Sequence, residues 1–178
     1  MTRTATLLLV PILFALVACG PAKTADIPRP APYDAQAKAH FCGMALGEHD
    51  GPKAQAWVEG QDKPYWFSSV HDLIAFTLLP EEPKSIQALY VTDMTRAPDW
   101  AHAQDGGWVD ARKAVYVIDS DITATMGMVE EVPFGDRNAA DVFARQHGGR
   151  VVGFDQIPTD NILGSATADP IAPSNPTP

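Results

Sequence analysis

The sequence predicts an α+β fold made of two similar ββαβ units packed together. Three observations lead to this expectation: strand-like and helix-like runs occur twice in the same order, each helix-like run follows a polar capping residue, and the aromatic residues repeat. Phe67 and Phe76 stand nine positions apart, as do Phe134 and Phe143. The alternative is a chance match of phenylalanine spacing in two short helices. Because duplicated units often form a site at their junction, the repeat also bears on function.

The first unit follows the pattern strand, strand, helix, strand. Its two opening strands are predicted in KAQAWVEG and YWFSS, where apolar and aromatic side chains predominate. The helix VHDLIAF begins after Ser68 or Ser69, either of which suits a helix N-terminus. The run SIQALYVT then completes the unit as its third strand.

The second unit repeats this pattern. The predicted strands KAVYVIDS and VPFGD precede a helix in NAADVFARQHGG, and RVVGFD supplies the last strand. Asp136 stands before this helix, and Gly148 and Gly149 end it, because glycine readily adopts the left-handed conformation that closes many helices. Two such units give antiparallel sheets with helices packed on them.

The N-terminus has the features of a lipoprotein signal peptide over residues 1–18. One early arginine precedes an apolar run from Leu7 to Val17, which is too short for a stable membrane-spanning helix. The run ends in LVAC, similar to a lipobox, so that Cys19 would be lipidated and become the mature N-terminus. Ordinary cleavage nearby or an uncleaved anchor are the alternatives. A lipidated chain is tethered to a membrane rather than spanning it.

Three further segments are expected after the signal peptide. Residues 19–39 form the lipidated N-terminus and a Pro/Ala-rich tether, since they lack any apolar period. Residues 40–158 form the folded domain, and residues 159–178 form a disordered Pro-rich tail. The formal net charge of −9 makes nucleic acid a poor partner and suits a cation or a basic protein surface instead.

Cysteine usage directs attention to one sulfur. Of the two cysteines, Cys19 is assigned to lipid, which leaves Cys42 without an intrachain partner in an oxidising compartment. Met44 stands two residues on, and Gly43 lets the backbone bend, so both sulfurs can point the same way. Soft sulfur donors favour Cu(I). The alternative is that both residues fill core volume.

Further copper donors have to come from elsewhere in the chain. Met126 and Met128 again place thioethers beside a glycine, and core filling is the alternative for both. His40 and His49 flank the thiol segment and could ligate, or remain solvated. Met94 could be either a donor or a core residue. The remaining histidines are interpreted as surface residues: His71, His102 and His147.

No catalytic set for hydrolysis or nucleotide chemistry is visible. The sequence lacks GxSxG, HExxH, a P-loop and a dinucleotide-binding glycine pattern. Asp93 follows an apolar strand and could act as an acid or base, but a turn-forming role is the simpler interpretation. The tryptophans most simply stiffen the core or an interface.

Several longer motifs together resemble one family. In order along the chain stand FCGM, GPKAQAW, WFSSVHDLIAF, LYVTDM, WVDARKAVYV, TATMG, PFGDRNAADVFARQHGG and VVGFDQI, which cover Phe41 to Ile157. With these motifs the sequence resembles the NosL family of lipoproteins, accessory proteins for nitrous oxide reductase. The resemblance implies a fold related to the organomercurial lyase-like topology, and makes residues 40–158 a copper-binding domain.

The resemblance also implies ligands and a role. Cys42, Met44 and Met126 match the family's copper-binding motifs, with His40, His49 and Met128 as candidate additional ligands. The implied function is a periplasmic, membrane-tethered Cu(I) metallochaperone, not an enzyme, which delivers copper for the copper centre of nitrous oxide reductase. Its partners would be that reductase and its membrane-bound assembly machinery. The copper donor stays open, and so does a dimer sharing one copper ion.

Two rival functions remain at this stage. The fold relationship suggests a thiol-dependent organometal lyase, with Cys42 as nucleophile and Asp93 as proton donor. That chemistry generally calls for a second thiol, which the sequence does not offer. The other rival is a structural, partner-binding lipoprotein with Cys42 buried. For the membrane itself, Gly20 stands where aspartate is associated with inner-membrane retention in some bacteria, which favours the outer membrane.

Overall fold

The computed structural model describes residues 27–124 and 127–164. In chain order, its strands and α-helices are β1 (Ala54–Val58), β2 (Tyr65–Phe67), α1 (Val70–Leu78), β3 (Ile86–Thr92), β4 (Trp108–Asp110), β5 (Val115–Ile118), β6 (Val132–Phe134), α2 (Arg137–His147), β7 (Arg150–Gly153) and α3 (Thr159–Leu163). Within these described ranges, no helix has the length and apolar character needed to cross a membrane.

The strands form two antiparallel sheets with matching topology, which confirms the predicted α+β fold. The first sheet has the order β2-β1-β3-β4 and the second the order β6-β5-β7. Ala54 of β1 pairs with Phe67 on one side and with Val91 on the other. In the same way, Val115 of β5 pairs with Phe134 and Gly153. Each unit therefore places its first strand in the middle, between its second and third strands.

The repeated phenylalanines mark the same contact in both units. The ring centroids of Phe67 and Phe76 lie 5.2 Å apart, and those of Phe134 and Phe143 lie 5.3 Å apart. In each unit, the last residue of the second strand therefore packs on a ring of the following helix. This makes the spacing a structural repeat rather than a coincidence.

The helix termini also agree with the predicted signals. The Ser69 hydroxyl accepts a hydrogen bond from the backbone N–H of Asp72, which identifies the cap of α1 as Ser69. Asp136 accepts from the N–H of Asn138 at the start of α2, and Gly148 ends that helix with φ +72°. Each cap satisfies a backbone donor that the helix itself leaves unpaired.

The second sheet is buried on both faces, which joins the two units. Along β5, Tyr116 and Ile118 pack into the main core together with strands β1 and β3 and helix α1. Val117 lies in a second cluster with Phe134 and Ala140 under α2. This alternation follows from the two-residue period of a strand. The main core thus contains residues of both units.

Three parts of the structure differ from the sequence-based expectations. Strand β4, with the half-buried residues Trp108, Val109 and Asp110, was not predicted, because three residues without a buried face give no apolar alternation. Helix α3 lies beyond residue 158, where a disordered tail was expected, and packs through the nearly buried Ile162. The signal peptide, the lipidation site Cys19 and residues 165–178 lie outside the described residues.

Residues 27–39 are not a free tether, since they lie along the folded domain. The side-chain amide of Gln55, which is fully buried, accepts from Ala31 N at 2.8 Å and donates to Ala31 O at 3.1 Å. The Tyr90 hydroxyl donates to Pro28 O at 2.6 Å. A buried amide requires partners, so this stretch of backbone is held in place.

Candidate metal centre

Cys42 lies in a tight turn next to strand β2. The backbone closes through Ala39 N to Met44 O at 2.9 Å and Gly43 N to Ala39 O at 2.8 Å. Gly43 has φ +70°, and an added Cβ there would meet nothing within 4 Å. Glycine is therefore favoured by the left-handed backbone conformation and not by crowding. His40 N donates to Trp66 O at 2.7 Å, which fixes the turn to the edge of the first sheet.

Neither sulfur-bearing residue of the turn is buried. Cys42 is half-buried and is a free cysteine, while Met44 is 38% exposed. The interpretation of Cys42 as a buried core residue is therefore wrong. Since the segment is a turn rather than a strand, the two-residue alternation does not itself align the sulfurs.

The Cys42 thiol faces the beginning of α1. Its Sγ lies 3.9 Å from Ser68 Oγ, and Ser68 in turn lies 3.5 Å from Oδ2 of Asp72. Burial raises the pKa of Asp72, and the hydrogen bonds from Ser69 and Ser68 only partly counteract this effect. The thiol thus sits next to a short polar chain at a helix N-terminus.

The two flanking histidines differ in their surroundings. His40 Nε2 lies 3.0 and 3.1 Å from the two carboxylate oxygens of Glu82, and its ring packs against Tyr65 and Phe76. To ligate through Nε2, it would have to leave Glu82. Among the described residues, the buried Nε2 of His49 has no hydrogen-bond partner. None of the described contacts brings either imidazole to the Cys42 sulfur.

His71 is not a surface residue, contrary to the prediction. It is 5% exposed, and its Nδ1 lies 3.1 Å from Oε2 of Glu131. Burial tends to lower the pKa of His71, but the hydrogen bond and negative charge of Glu131 outweigh it, and the pKa is raised. The other two histidines are more accessible and pair with nearby aspartates: His102 with Asp99 and His147 with Asp121.

Asp93 is a turn former that also links the units. One carboxylate oxygen accepts from Thr95 N at 2.9 Å and from Gly135 N at 2.7 Å, while the other faces Arg96 at 3.1 Å. Burial opposes ionisation, but these hydrogen bonds and the arginine charge prevail and lower the pKa of Asp93. A carboxylate held ionised in this way is a poor proton donor. Met94, beside it, packs against the second core cluster.

Of the two candidate methionines in the second unit, only one is described. Met126 lies outside the described residues, whereas Met128 is 45% exposed. Met128 follows Gly127, whose φ is +80°, and its carbonyl accepts from Ala124 N at 2.6 Å. The exposed thioether of Met128 is therefore carried by a short hairpin.

Sequence reasoning missed two buried carboxylates and a buried lysine. Glu130, Glu131 and Lys53 are each 1% exposed. Burial and the neighbouring Glu131 raise the pKa of Glu130 well above its usual range, and burial lowers that of Lys53 to about 8. The only available signal was two acidic residues directly before an apolar strand, a pattern more often typical of a solvated turn.

The described residues contain no group of three or more His, Cys, Asp and Glu side chains able to hold a metal ion. The Ser68 hydroxyl lies near the half-buried thiol, and the same turn carries the Met44 thioether. Thiolate and thioether are soft ligands, which suit Cu(I) better than Zn²⁺ or Mg²⁺. The thiol and the thioether of this turn are thus donors of the kind that a soft metal ion prefers.

Two curated relatives resemble this chain. The copper-binding lipoprotein NosL of Achromobacter cycloclastes is 42% identical over 125 residues, which are 70% of this chain and 65% of that protein. The chain thus spans just under two thirds of that relative's length. The copper-binding lipoprotein NosL of Stutzerimonas stutzeri is 33% identical over 153 residues, or 85% of this chain and 78% of that protein.

Two solved structures share the fold. The crystal structure of the copper chaperone NosL from Shewanella denitrificans matches with a TM-score of 0.67 at 34% identity, covering 74% of this chain and 96% of that one. The solution structure of apo-NosL from Achromobacter cycloclastes matches with a TM-score of 0.50 at 37% identity, covering 65% and 92%. The sequence profile of NosL matches residues 30–162. The chain therefore belongs to the NosL family.

Proposed function

We propose that this protein is a membrane-tethered Cu(I) metallochaperone whose metal is bound by Cys42, Met44 and Met126. His40, His49 and Met128 are the candidate additional ligands. The observation that carries the proposal is the free, half-buried thiol in a glycine turn next to an exposed thioether. Relatives named for copper binding and copper chaperoning support the choice of metal.

The proposed site at the Cys42 turn suits a metal ion that is bound and later transferred. A thiolate with one or two thioethers gives Cu(I) two or three soft ligands at an accessible turn. Incoming donors from a partner displace the weak thioethers first and the Cys42 thiolate last. A fully enclosed cage would hold the ion too long for such exchange.

The anchor is the N-terminal cysteine. Lipidation of Cys19 after removal of residues 1–18 places the domain on the periplasmic side of a membrane, with the outer membrane favoured. The relatives are named lipoproteins, which supports this anchor. Confinement at a membrane raises the effective concentration of the protein near a membrane-bound partner.

The proposed recipient is nitrous oxide reductase together with its membrane-bound assembly machinery, on the basis of the NosL resemblance. The rival lyase activity is less well supported. Cys42 is the one free cysteine of the described residues, and Asp93 is tied by Arg96 and two backbone N–H groups. A partner-binding role with Cys42 buried is likewise disfavoured, because Cys42 is only half-buried.

Anaerobic competition against a chromophoric Cu(I) chelator tests the proposal. We expect Cys42→Ala to abolish tight binding and Met44→Leu to weaken it. Met126→Leu should weaken it equally or less. Met94→Leu is the matched control, since that thioether packs in the second core cluster and should leave the affinity unchanged. If Cys42→Ala retains copper as tightly as the wild type, the site is wrong.

A further inference from the structure

A short hairpin carries the second methionine motif. It consists of residues 122–124 and 127–130, here called the methionine hairpin. Thr123 and Val129 pair as an antiparallel bridge, and Glu130 N donates to Ile122 O at 3.0 Å. Met128 is exposed on this hairpin, and Met126 lies in the stretch outside the described residues.

Glu130, at the base of the hairpin, binds the beginning of α1. Its Oε1 accepts a hydrogen bond from Val70 N at 2.8 Å and another from His71 N at 3.2 Å. These are two of the first backbone donors of the helix, which have no partner within it. The side chain is 1% exposed, so the hydrogen bonds replace those that water would make.

Glu131 adds a second connection at the same place. Its carboxylate lies 3.1 Å from Nδ1 of His71, and both side chains are buried. Adjacent residues at the base of the hairpin thus hold the first turn of α1 by its backbone and by a side chain. The contacts bridge 59 and 60 residues of sequence and join the second unit to the first.

The same first turn of α1 faces the proposed copper thiol. Ser68, two residues before Val70, is the side chain that contacts Cys42 Sγ at 3.9 Å. Met128 precedes Glu130 by two residues. Cys42 contacts Ser68, and Glu130 contacts Val70, so the two contacts on the helix side lie only two residues apart. Cys42 and the methionine hairpin are therefore brought to the same end of α1, although they are far apart in sequence.

We propose that Glu130 is a positioning residue for the copper site, which holds the methionine hairpin on the N-terminus of α1 so that the Met128 thioether reaches the Cys42 thiolate. This rests on the proposed function. Groups that orient metal ligands commonly contribute about 10- to 100-fold to metal affinity. The competing interpretation is that Glu130 only stabilises α1.

The substitutions Glu130→Ala and Glu130→Gln separate these interpretations. The amide oxygen of glutamine can still accept from Val70 N and His71 N, and the raised pKa of Glu130 indicates that an uncharged side chain fits. Asp136→Ala is the matched control, since it removes the helix-capping acceptor of α2 in the other unit.

Two quantities are measured on the full-length proteins: the Cu(I) affinity and, by X-ray absorption of the copper-loaded proteins, the number of sulfur atoms bound to copper. We expect Glu130→Ala to weaken Cu(I) binding by about 10- to 100-fold and to lose thioether sulfur, whereas Glu130→Gln and Asp136→Ala resemble the wild type. In a variant with leucine at both Met126 and Met128, Glu130→Ala should have no further effect, because coupled residues are non-additive.

Each outcome points to a different conclusion. If Glu130→Ala folds and keeps the wild-type sulfur count and affinity, the positioning role is refuted while the copper site stands. If Glu130→Ala weakens binding equally with and without the two methionines, its effect is only on helix stability and the proposal is again refuted. If wild-type protein binds Cu(I) without sulfur, the proposed function itself fails.

Discussion

The two ββαβ units share a topology but differ sharply at the N-termini of their helices. Helix α1 buries five residues, and its first backbone N–H groups donate hydrogen bonds to both Ser69 and Glu130. Helix α2 buries only Ala140 and is capped by the exposed Asp136. The repeat therefore sets the architecture, while the polar contacts around one helix terminus distinguish the unit that carries the thiol. Variants at matched positions can break or sharpen this comparison.

The largest expected difference concerns the repeated phenylalanines. Phe76 is fully buried in the main core, whereas Phe143 of α2 is only partly buried. We expect Phe76→Ala to lower the free energy of unfolding by about 3–5 kcal/mol, and Phe143→Ala to lower it by clearly less. Urea denaturation measures both. Equal losses would mean that the two units have equally buried helices, against the structure.

The next comparison is between the histidines of the two helices. His71→Ala leaves the buried Glu131 carboxylate without its partner, so we expect a loss of about 3–5 kcal/mol. His147→Ala removes an accessible pair with Asp121 and should cost at most about 1 kcal/mol. Thermal or urea unfolding gives both values. A small effect at His71 would show that Glu131 is satisfied in another way.

The His71 pair should also make stability depend on pH. The groups that face His71 are Glu131, Asp72 and the backbone of Ile162, and together they raise its pKa above the usual 6.5 despite burial. A raised folded-state pKa means that the stabilisation is fully present below 6.5 and is lost as the pH rises through the folded-state value. The stability difference between wild type and His71→Gln, from urea unfolding across this range, should shrink with rising pH. If this stability difference increased with rising pH, the pKa of His71 would be lowered in the folded state, and the prediction would be wrong.

The smallest expected difference is between the helix caps. Ser69 is 2% exposed, and Ser69→Ala leaves the N–H of Asp72 without its partner, so the loss should approach about 2 kcal/mol. Asp136 is exposed, and water can replace its carboxylate, so Asp136→Ala should cost nearer about 0.5 kcal/mol. Chemical denaturation of the two single variants checks this order, and the reverse order would contradict the burial difference.

Local patterns predicted much of the fold because the decisive signals were themselves local. The phenylalanine repeat, the cap at Asp136 and the ending at Gly148 are each contained within a short stretch of sequence. The residues that carry the thiol and thioether of the candidate site, Cys42 and Met44, likewise stand only two positions apart in sequence. These features needed only backbone periodicity and side-chain chemistry.

The features that were missed depend on distant partners. Glu130 and Glu131 become buried only because α1, about 60 residues earlier, supplies the donors and the imidazole. His71 was assigned to the surface for the same reason. Gln55 holds Ala31 across 24 residues, so composition alone made residues 27–39 resemble a free linker. The periodicity of a short stretch of sequence cannot reveal pairings between residues so far apart.

The pairing of Gln55 with Ala31 has a consequence for how far the domain can travel. With Cys19 acylated, as proposed, the chain is fixed to the bilayer at one end and to the first sheet at Ala31. An extended chain advances roughly 3.3–3.6 Å per residue, so the 31 − 19 = 12 residues from Cys19 to Ala31 reach no more than roughly 40–43 Å. A recipient of copper would then have to present its acceptor atoms within this reach plus the width of the domain, measured from the membrane surface.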